Sequence, residues 1–273
     1  MERWNTPLPD ECRFKEIEVV SHEGYFEIHA KLLLPEPVWK TEGQLMFADL
    51  GERNPAVTED EVGNIDIFKG GQILSHLHYY NKEKARVQSE VMGRTKGKKK
   101  SSRALGRMSK RGARQVNHSI HALSDTITTV CIQRDVKKFV IGDLGGIKKE
   151  KDGTGKNWKD KPSQNWQQFP IQKFVALLRY KLARHGIQMD EQDERGTSKG
   201  RCSVCGCTDR TKIHRVKRGL FLCENCGAKL NADVNGVGNQ KARYLQLEKS
   251  ISSSGRLARP VVWRWNDQVW SRC

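Results

Sequence analysis

"KKFVIGDLGGIKK", residues 137–149, begins as an apolar strand through Phe139, Val140 and Ile141. It ends in glycines and lysines, with one carboxylate, Asp143, where the two halves meet. Three readings fit these residues: a glycine-rich loop that cradles phosphate, a strand end that carries catalysis, or a plain turn. The flanking sequence narrows the fold first. Upstream, Val116, Ile120, Leu123, Ile127 and Val130 recur at three- and four-residue steps, one face of a helix that leads directly into the strand. Downstream, beyond the polar loop "KEKDGTGKNWKDKPSQNW", Phe169, Phe174, Leu177, Leu178 and Leu182 mark a second amphipathic helix. Gly186 stops it, with Arg184 and His185 in its last turn.

Further out, "FKEIEVVSHEGYFEIHAKLLLP" (14–35) alternates apolar and polar residues on both sides of "SHEG", which predicts a β-hairpin turning at Gly24. "QLMFADLGERNPAVT" (44–58) predicts a buried strand ending on Asp49, ahead of Gly51, and a second short strand near Ala56 and Val57. Strand and helix segments alternate through most of residues 40–240, which predicts an α/β domain with a mixed sheet. In the tail after Tyr244, the tryptophans of "VVWRWNDQVW" (261–270) either cap a core or stack on a partner.

The chain has 273 residues and 36% hydrophobic content, enough for a real core. Its net charge of +17 points to a polyanion, most often nucleic acid. Residues 82–114 hold 13 Lys or Arg against two acids, Glu83 and Glu90. That segment reads as a basic linker, a nucleic-acid contact, or both. The candidate contact residues are Arg94, Lys96, Lys98, Lys99, Lys100, Arg103, Arg107, Lys110, Arg111 and Arg114. No run of 18 apolar residues and no apolar signal core occurs, so the expectation is an intracellular protein, cytoplasmic and nucleoid-associated, with no membrane partner.

"CSVCGC" (202–207) and "CENCG" (223–227) form two CxxC pairs, with Cys207 as a spare. Each CxxC turn sets two thiolates on one edge of a tetrahedron, and the intervening segment suits a β-hairpin. Cys202, Cys205, Cys223 and Cys226 are therefore predicted to hold a structural Zn²⁺ with no open position for chemistry. Arg210, Lys212, His214, Arg215, Lys217 and Arg218 give this ribbon a cationic edge.

Cutting a phosphodiester with two divalent ions needs carboxylates that converge at strand ends. Asp49 stands at such an end, and Asp233 follows the second cysteine pair in "NADVNGVGN". Taken singly, an Asp in such a place is more often a cap.

"FADLG", "VIGDLGGIKK", "TSKGRCSVCG", "FLCENCG" and "NADVNGVGN", in this order, resemble the TnpB (OrfB) family. These are transposon-associated RNA-guided DNA endonucleases, often labelled transposases and related to type V CRISPR effectors. The match runs over roughly residues 13–243. The phosphate-loop reading gives way here, since "GDLGG" also lacks GxxxxGK[ST]. The resemblance implies an RNase H-like (RuvC-like) domain over 41–200, its last element at 229–245, a zinc ribbon inserted at 201–228, and a C-terminal tail at 246–273. It also implies guide RNA and target DNA as partners, no small-molecule substrate, and two Mg²⁺ ions held by two aspartates and a glutamate. Asp49 matches the first aspartate and Asp233 the last.

The commonest family pattern reads "EDL" at the central strand; this chain reads "GDL", with Gly142 in the place of the glutamate. Either the nuclease is inactive or the third carboxylate comes from elsewhere. Branches that read "GDL" carry a relocated glutamate just before "TSK", and Glu194 of "MDEQDERGTSK" holds that position, with Glu191 and Asp193 as competitors and Asp143 a lesser contributor. The hairpin within residues 1–40 resembles the last strands of the family's N-terminal wedge barrel, so the chain reads as an N-terminally shortened form.

Overall fold

Alternating side chains decide how the central strands are used. In β3 (Gln44–Asp49), Met46 and Ala48 face one way and Phe47 the other, and all three are fully buried. A strand apolar on both faces needs cover on both. The structure, a computed structural model, describes residues 12–22, 25–97, 102–143, 168–193, 197, 200–217, 219–247, 259–266 and 269–273. It divides into one unit of residues 1–38 and another of residues 39–273.

The first unit is the predicted hairpin, β1 (Arg13–His22) against β2 (Tyr25–Leu33), antiparallel. Its register sets Ile17 opposite Ala30 and Val19 opposite Ile28 on one face. Glu16 opposes Lys31 on the other, with 3.2 Å between Oε2 and Nζ.

The second unit is built on a seven-stranded mixed sheet. Its members are β3, β4 (Ala56–Asp60), β5 (Ile65–Phe68), β6 (Val136–Gly142), β7 (Gln188–Gln192), β11 (Val261–Asn266) and β12 (Val269–Arg272). Their order is β12-β11-β5-β4-β3-β6-β7. β3–β4, β4–β5 and β11–β12 pair antiparallel, whereas β3–β6, β6–β7 and β5–β11 pair parallel. One consequence matters for function: β3, β5, β6, β7 and β11 all end at the same edge of the sheet.

On one face lie α2 (Arg103–Gln133) and α3 (Ile171–Ala183), with Ile73 of α1 (Gly71–Arg94). Ile120, Leu123 and Ile127 of α2 and Phe174 and Leu178 of α3 bury completely against Met46, Phe139 and Phe68. Each such side chain contributes roughly 1.5–3 kcal/mol by leaving water. The second face is covered by α4 (Ala232–Tyr244), whose Val234 and Val237 pack on Phe47, Val57 and Val140. α2 starts well before the apolar repeat that announces it, because Ser102 caps it by accepting from the Leu105 backbone N–H at 3.2 Å. The tail tryptophans pack: Trp263 and Trp270 are buried, and the Trp263 Nε1–H donates to Asp66 at 2.9 Å. β5, β7, β11 and β12 are additions to the sequence reading. The polar loop upstream of Phe169 falls almost wholly outside the described residues.

One ion pair is buried outright. Lys241 of α4 reaches Glu59 of β4 at 3.0 Å and donates to the Asp60 and Glu61 carbonyls at 2.8 and 3.0 Å. A fully buried ammonium is tolerated because all three of its protons are taken. Among the described residues, no helix is long and apolar enough to cross a membrane.

Candidate active site and metal centre

Asp49 ends β3 on the face that α4 covers. α4 starts at a proper cap: the Asn231 side chain accepts from the Asp233 backbone N–H at 2.8 Å. Its first turns then cross the end of β3. A Cβ placed on Gly236 would stand 2.5 Å from Asp49 Oδ2, so glycine at 236 lets the helix lie on that carboxylate. Asp233 is three residues earlier, on the same side of the helix. Its Oδ2 accepts from Asn54 Nδ2 at 2.7 Å, and Arg215 of the ribbon stands 3.8 Å from Oδ1. The two predicted aspartates, 184 positions apart in "FADLG" (Asp49) and "NADVNG" (Asp233), are thus both tied to the first turns of α4: Asp49 against Gly236, and Asp233 three residues before it. Carboxylates clustered this way are a donor set suited to a hard divalent cation.

The neighbouring strand ends explain Gly142. Ala48 pairs with Ile141, which sets Gly142 beside Asp49, and Gly142 pairs in turn with Gln192. Val140 shares the α4 core with Phe47, so by alternation position 142 faces the same side as Asp49. Asp143, the next residue, is in phase with the other face, and its backbone N–H donates to the Gln192 carbonyl at 2.6 Å. Glu191 is drawn to the far side by Arg179 of α3. Glu194 lies outside the described residues. Described residues on either side of positions 194–196 are bound by α4: Arg243 donates to the Asp193 carbonyl at 2.5 Å, and Asn239 to the Thr197 carbonyl at 2.6 Å.

Asn239 and Asn235, which the sequence reading missed, support the candidate site by holding neighbouring backbone to α4. Asn239 also donates to the Arg201 carbonyl at 2.8 Å. Asn235 donates to the same carbonyl at 2.9 Å and accepts from Ser203 N–H at 2.9 Å. Spaced four apart on the same helix, they bind the chain entering the cysteine cluster. Their spacing in "NADVNGVGN" is the signal that points to them.

The four predicted thiols gather as expected. Cys202, Cys205, Cys223 and Cys226 place their sulfurs within 4.8 Å of one another, at 3.8 Å for Cys202–Cys226 and 3.7 Å for Cys205–Cys223. A tetrahedral Zn–S₄ site with bonds of about 2.3 Å has S···S edges of about 3.8 Å, so the cluster can hold a metal ion such as zinc. Cys205, not the spare Cys207, completes the cluster. The pairs are joined by the three-stranded sheet β8 (Ile213–Lys217), β9 (Leu220–Cys223) and β10 (Lys229–Asn231), in order β10-β9-β8. Burial pushes the Cys202 and Cys223 thiols up. Burial also acts to raise Cys205, but hydrogen bonds from the Cys207 backbone and the Asn225 amide outweigh it and bring that thiol down to about 7.

Of the basic candidates, Arg94 closes α1 and Lys96 sits in the following turn at φ 47°. Lys98, Lys99 and Lys100 lie outside the described residues. Arg103, Arg107, Lys110, Arg111 and Arg114 are all exposed on α2. At 3.6 residues per turn they occupy an arc of about 100°, opposite the buried stripe of Leu105, Gly112 and Val116. A cleft of about 820 Å³ opens at the sheet edge, where Asp233, Asn54 and Arg53 face Lys69, Arg264 and Trp265.

Two family models match the sequence: "Probable transposase" of the OrfB type over residues 29–148, and "Cas12f1-like, TNB domain" over residues 172–240. A TnpB-like protein of Aquifex aeolicus (strain VF5) is 44% identical over 66 residues, which is 24% of this chain and 20% of that protein. Among solved structures, a chain of the Cas12f1–sgRNA–target DNA complex is similar in fold, with TM-score 0.52 at 19% identity. That match covers 82% of this chain and 55% of the solved one. A chain of a CRISPR-Cas12f ternary complex aligns with TM-score 0.49 at 17% identity, over 82% and 44%. The chain therefore spans about half the length of these solved relatives.

Proposed function

The chain belongs to the TnpB (OrfB) family, and from that premise we propose that it is an RNA-guided DNA endonuclease whose carboxylates hold two Mg²⁺ ions. The observation that carries this reading is that Asp49 lies against Gly236, three residues beyond Asp233 in the first turns of α4. The run β5-β4-β3-β6-β7, antiparallel through its first three strands and parallel through its last two, supports an RNase H-like (RuvC-like) core.

Magnesium, when bound, supplies Lewis acidity at the scissile phosphate and an activated water. The chain's own residues supply the geometry. Asp49 is held on a central strand under Gly236 and would be one of the carboxylates that hold the cations. Asn54 fixes the rotamer of Asp233, and the positive end of the α4 dipole steadies both acids. Glu194 is the proposed third ligand. It stands three residues ahead of Thr197 in the sequence, and Gly142, on the strand beside Asp49, offers no carboxylate of its own.

The basic stripe on α2 would hold guide or target through phosphates, with sequence chosen by guide pairing. The four-cysteine cluster has no open position, so its proposed zinc is structural. The second reading, a nuclease-inactive RNA-guided binding protein, is favoured by one feature: the missing side chain at Gly142.

Co-expression with the flanking RNA separates the two. The chain should cut a guide-matched plasmid in Mg²⁺, and Glu194→Ala should abolish cutting while leaving binding intact. Binding without cutting by the unmodified chain would establish the occupancy reading.

A further inference from the structure

The C-terminal hairpin adds more to the sheet than an edge. β11 ends beside the end of β5, so Arg264 and Trp265 come to line the 820 Å³ cleft that also contains Asp233, at the far end of the sheet edge from β6 and β7. Trp265 is half-buried and fixed in orientation by two edge-on ring contacts, His118 at 5.7 Å and Trp270 at 5.9 Å between centroids. It is one of the residues that line the cleft. Arg53, Lys69 and Arg264 line the same cleft and outnumber its two acids, Glu52 and Asp233, and the first turn of α1 borders it with neither an acidic residue nor a side-chain cap.

A cationic cleft with a rigid, partly open aromatic ring is the combination that binds single-stranded nucleic acid. The backbone tracks the cations, and a base stacks on the ring whatever its identity. We propose that this cleft receives one strand of DNA, that a base stacks on Trp265, and that the cations lead the adjoining phosphates to the acids at the start of α4. Trp265 is thereby a positioning residue. The proposal rests on the reading that Asp49 and Asp233 cut a phosphodiester, which gives the strand its destination.

The test uses the full, zinc-loaded chain. Anisotropy of a short fluorescein-labelled oligothymidine, without added magnesium, is compared for the unmodified chain, Trp265→Phe and Trp265→Ala, with a duplex of equal length as control. Loss of one base–aromatic stack should weaken single-strand binding by roughly 5- to 150-fold in Trp265→Ala. Trp265→Phe should stay within a few-fold, and duplex binding should not change. Equal single-strand affinity for Trp265→Ala, or an equal loss for the duplex, would overturn the proposal.

A measurement on the unmodified chain covers the case where the alanine variant misfolds. Photocrosslinking to an iododeoxyuridine-containing strand should recover the adduct on Trp265, and an adduct map without Trp265 counts against the cleft. Cutting of the matched plasmid is scored in parallel. A Trp265-dependent strand site without cutting upholds the cleft and sinks the nuclease. Normal cutting by Trp265→Ala does the reverse.

Discussion

Gly236 and Asp49 touch. A methyl group added at 236 would sit 2.5 Å from Oδ2 of the aspartate, which ends the central strand. The contact is with the tip of a side chain and not with backbone, so Asp49 can move aside. Gly236→Ala should therefore leave stability within about 1 kcal/mol, helped by the higher helix propensity of alanine. The displaced carboxylate should lower Mg²⁺-dependent cutting by at least about tenfold, since catalytic groups must be held closely in place. Thermal melting and plasmid cutting measured on one preparation check this. A large fall in melting temperature would mean that the helix, not the carboxylate, gives way.

Position 142 offers a restoration. It faces the same side as Asp49 on the adjacent strand, with no side chain of its own. If Glu194 supplies the carboxylate missing there, Glu194→Ala should be inactive, and Gly142→Glu in that background should recover measurable cutting. Failure of every Gly142→Glu variant to cut, in chains that still bind guide, would place the third ligand elsewhere.

Metal at the cysteine cluster should depend on pH in one direction. Burial holds the Cys202 and Cys223 thiols above their ordinary value, so both are protonated at neutral pH without metal, whereas Cys205, at about 7, is near half-ionised. Zinc must displace those protons, so its apparent affinity should rise as pH rises through neutrality and fall on acidification. Titration calorimetry in buffers of different ionisation enthalpy should show protons released on binding. Cys223→Ser should weaken zinc retention sharply, and chelation should loosen the ribbon.

Lys241 tests the other side of α4. Lys241→Met removes the ammonium paired with buried Glu59 at 3.0 Å and leaves the Asp60 and Glu61 carbonyls short of a donor. Breaking a buried pair from one side costs about 3–5 kcal/mol. Replacing Glu59 with leucine in the same chain should return part of that, because the stranded charge is gone. Urea unfolding of the single and double variants gives both numbers.

Local signals carried much of this protein. The heptad-like spacing of Val116 to Val130, the two CxxC pairs and the paired strands β1 and β2 were legible because helix faces, cysteine clusters and hairpin strands are written in residues close along the chain; the expected turn at Gly24 lies outside the described residues. β7 was not, since "QMDEQ" is polar and owes its strand to pairing with β6. β11 and β12 were ambiguous for the same reason: tryptophans can pack or stack, and only parallel pairing with β5 buries Trp263 and Trp270 while leaving Trp265 at a cleft.

By itself, then, the sequence determined the cysteine cluster, the amphipathic helices and the identity of the two aspartates. Tertiary structure alone decided that Asp49 lies against Gly236 of the helix that Asp233 begins, that Gly142 faces the same side as Asp49, and that Asn235, Asn239 and Lys241 hold α4 to the ribbon and the sheet. The reason is physical: these contacts join residues far apart in the chain, and their partners are chosen by sheet order and by which face α4 buries, quantities that no local spacing contains.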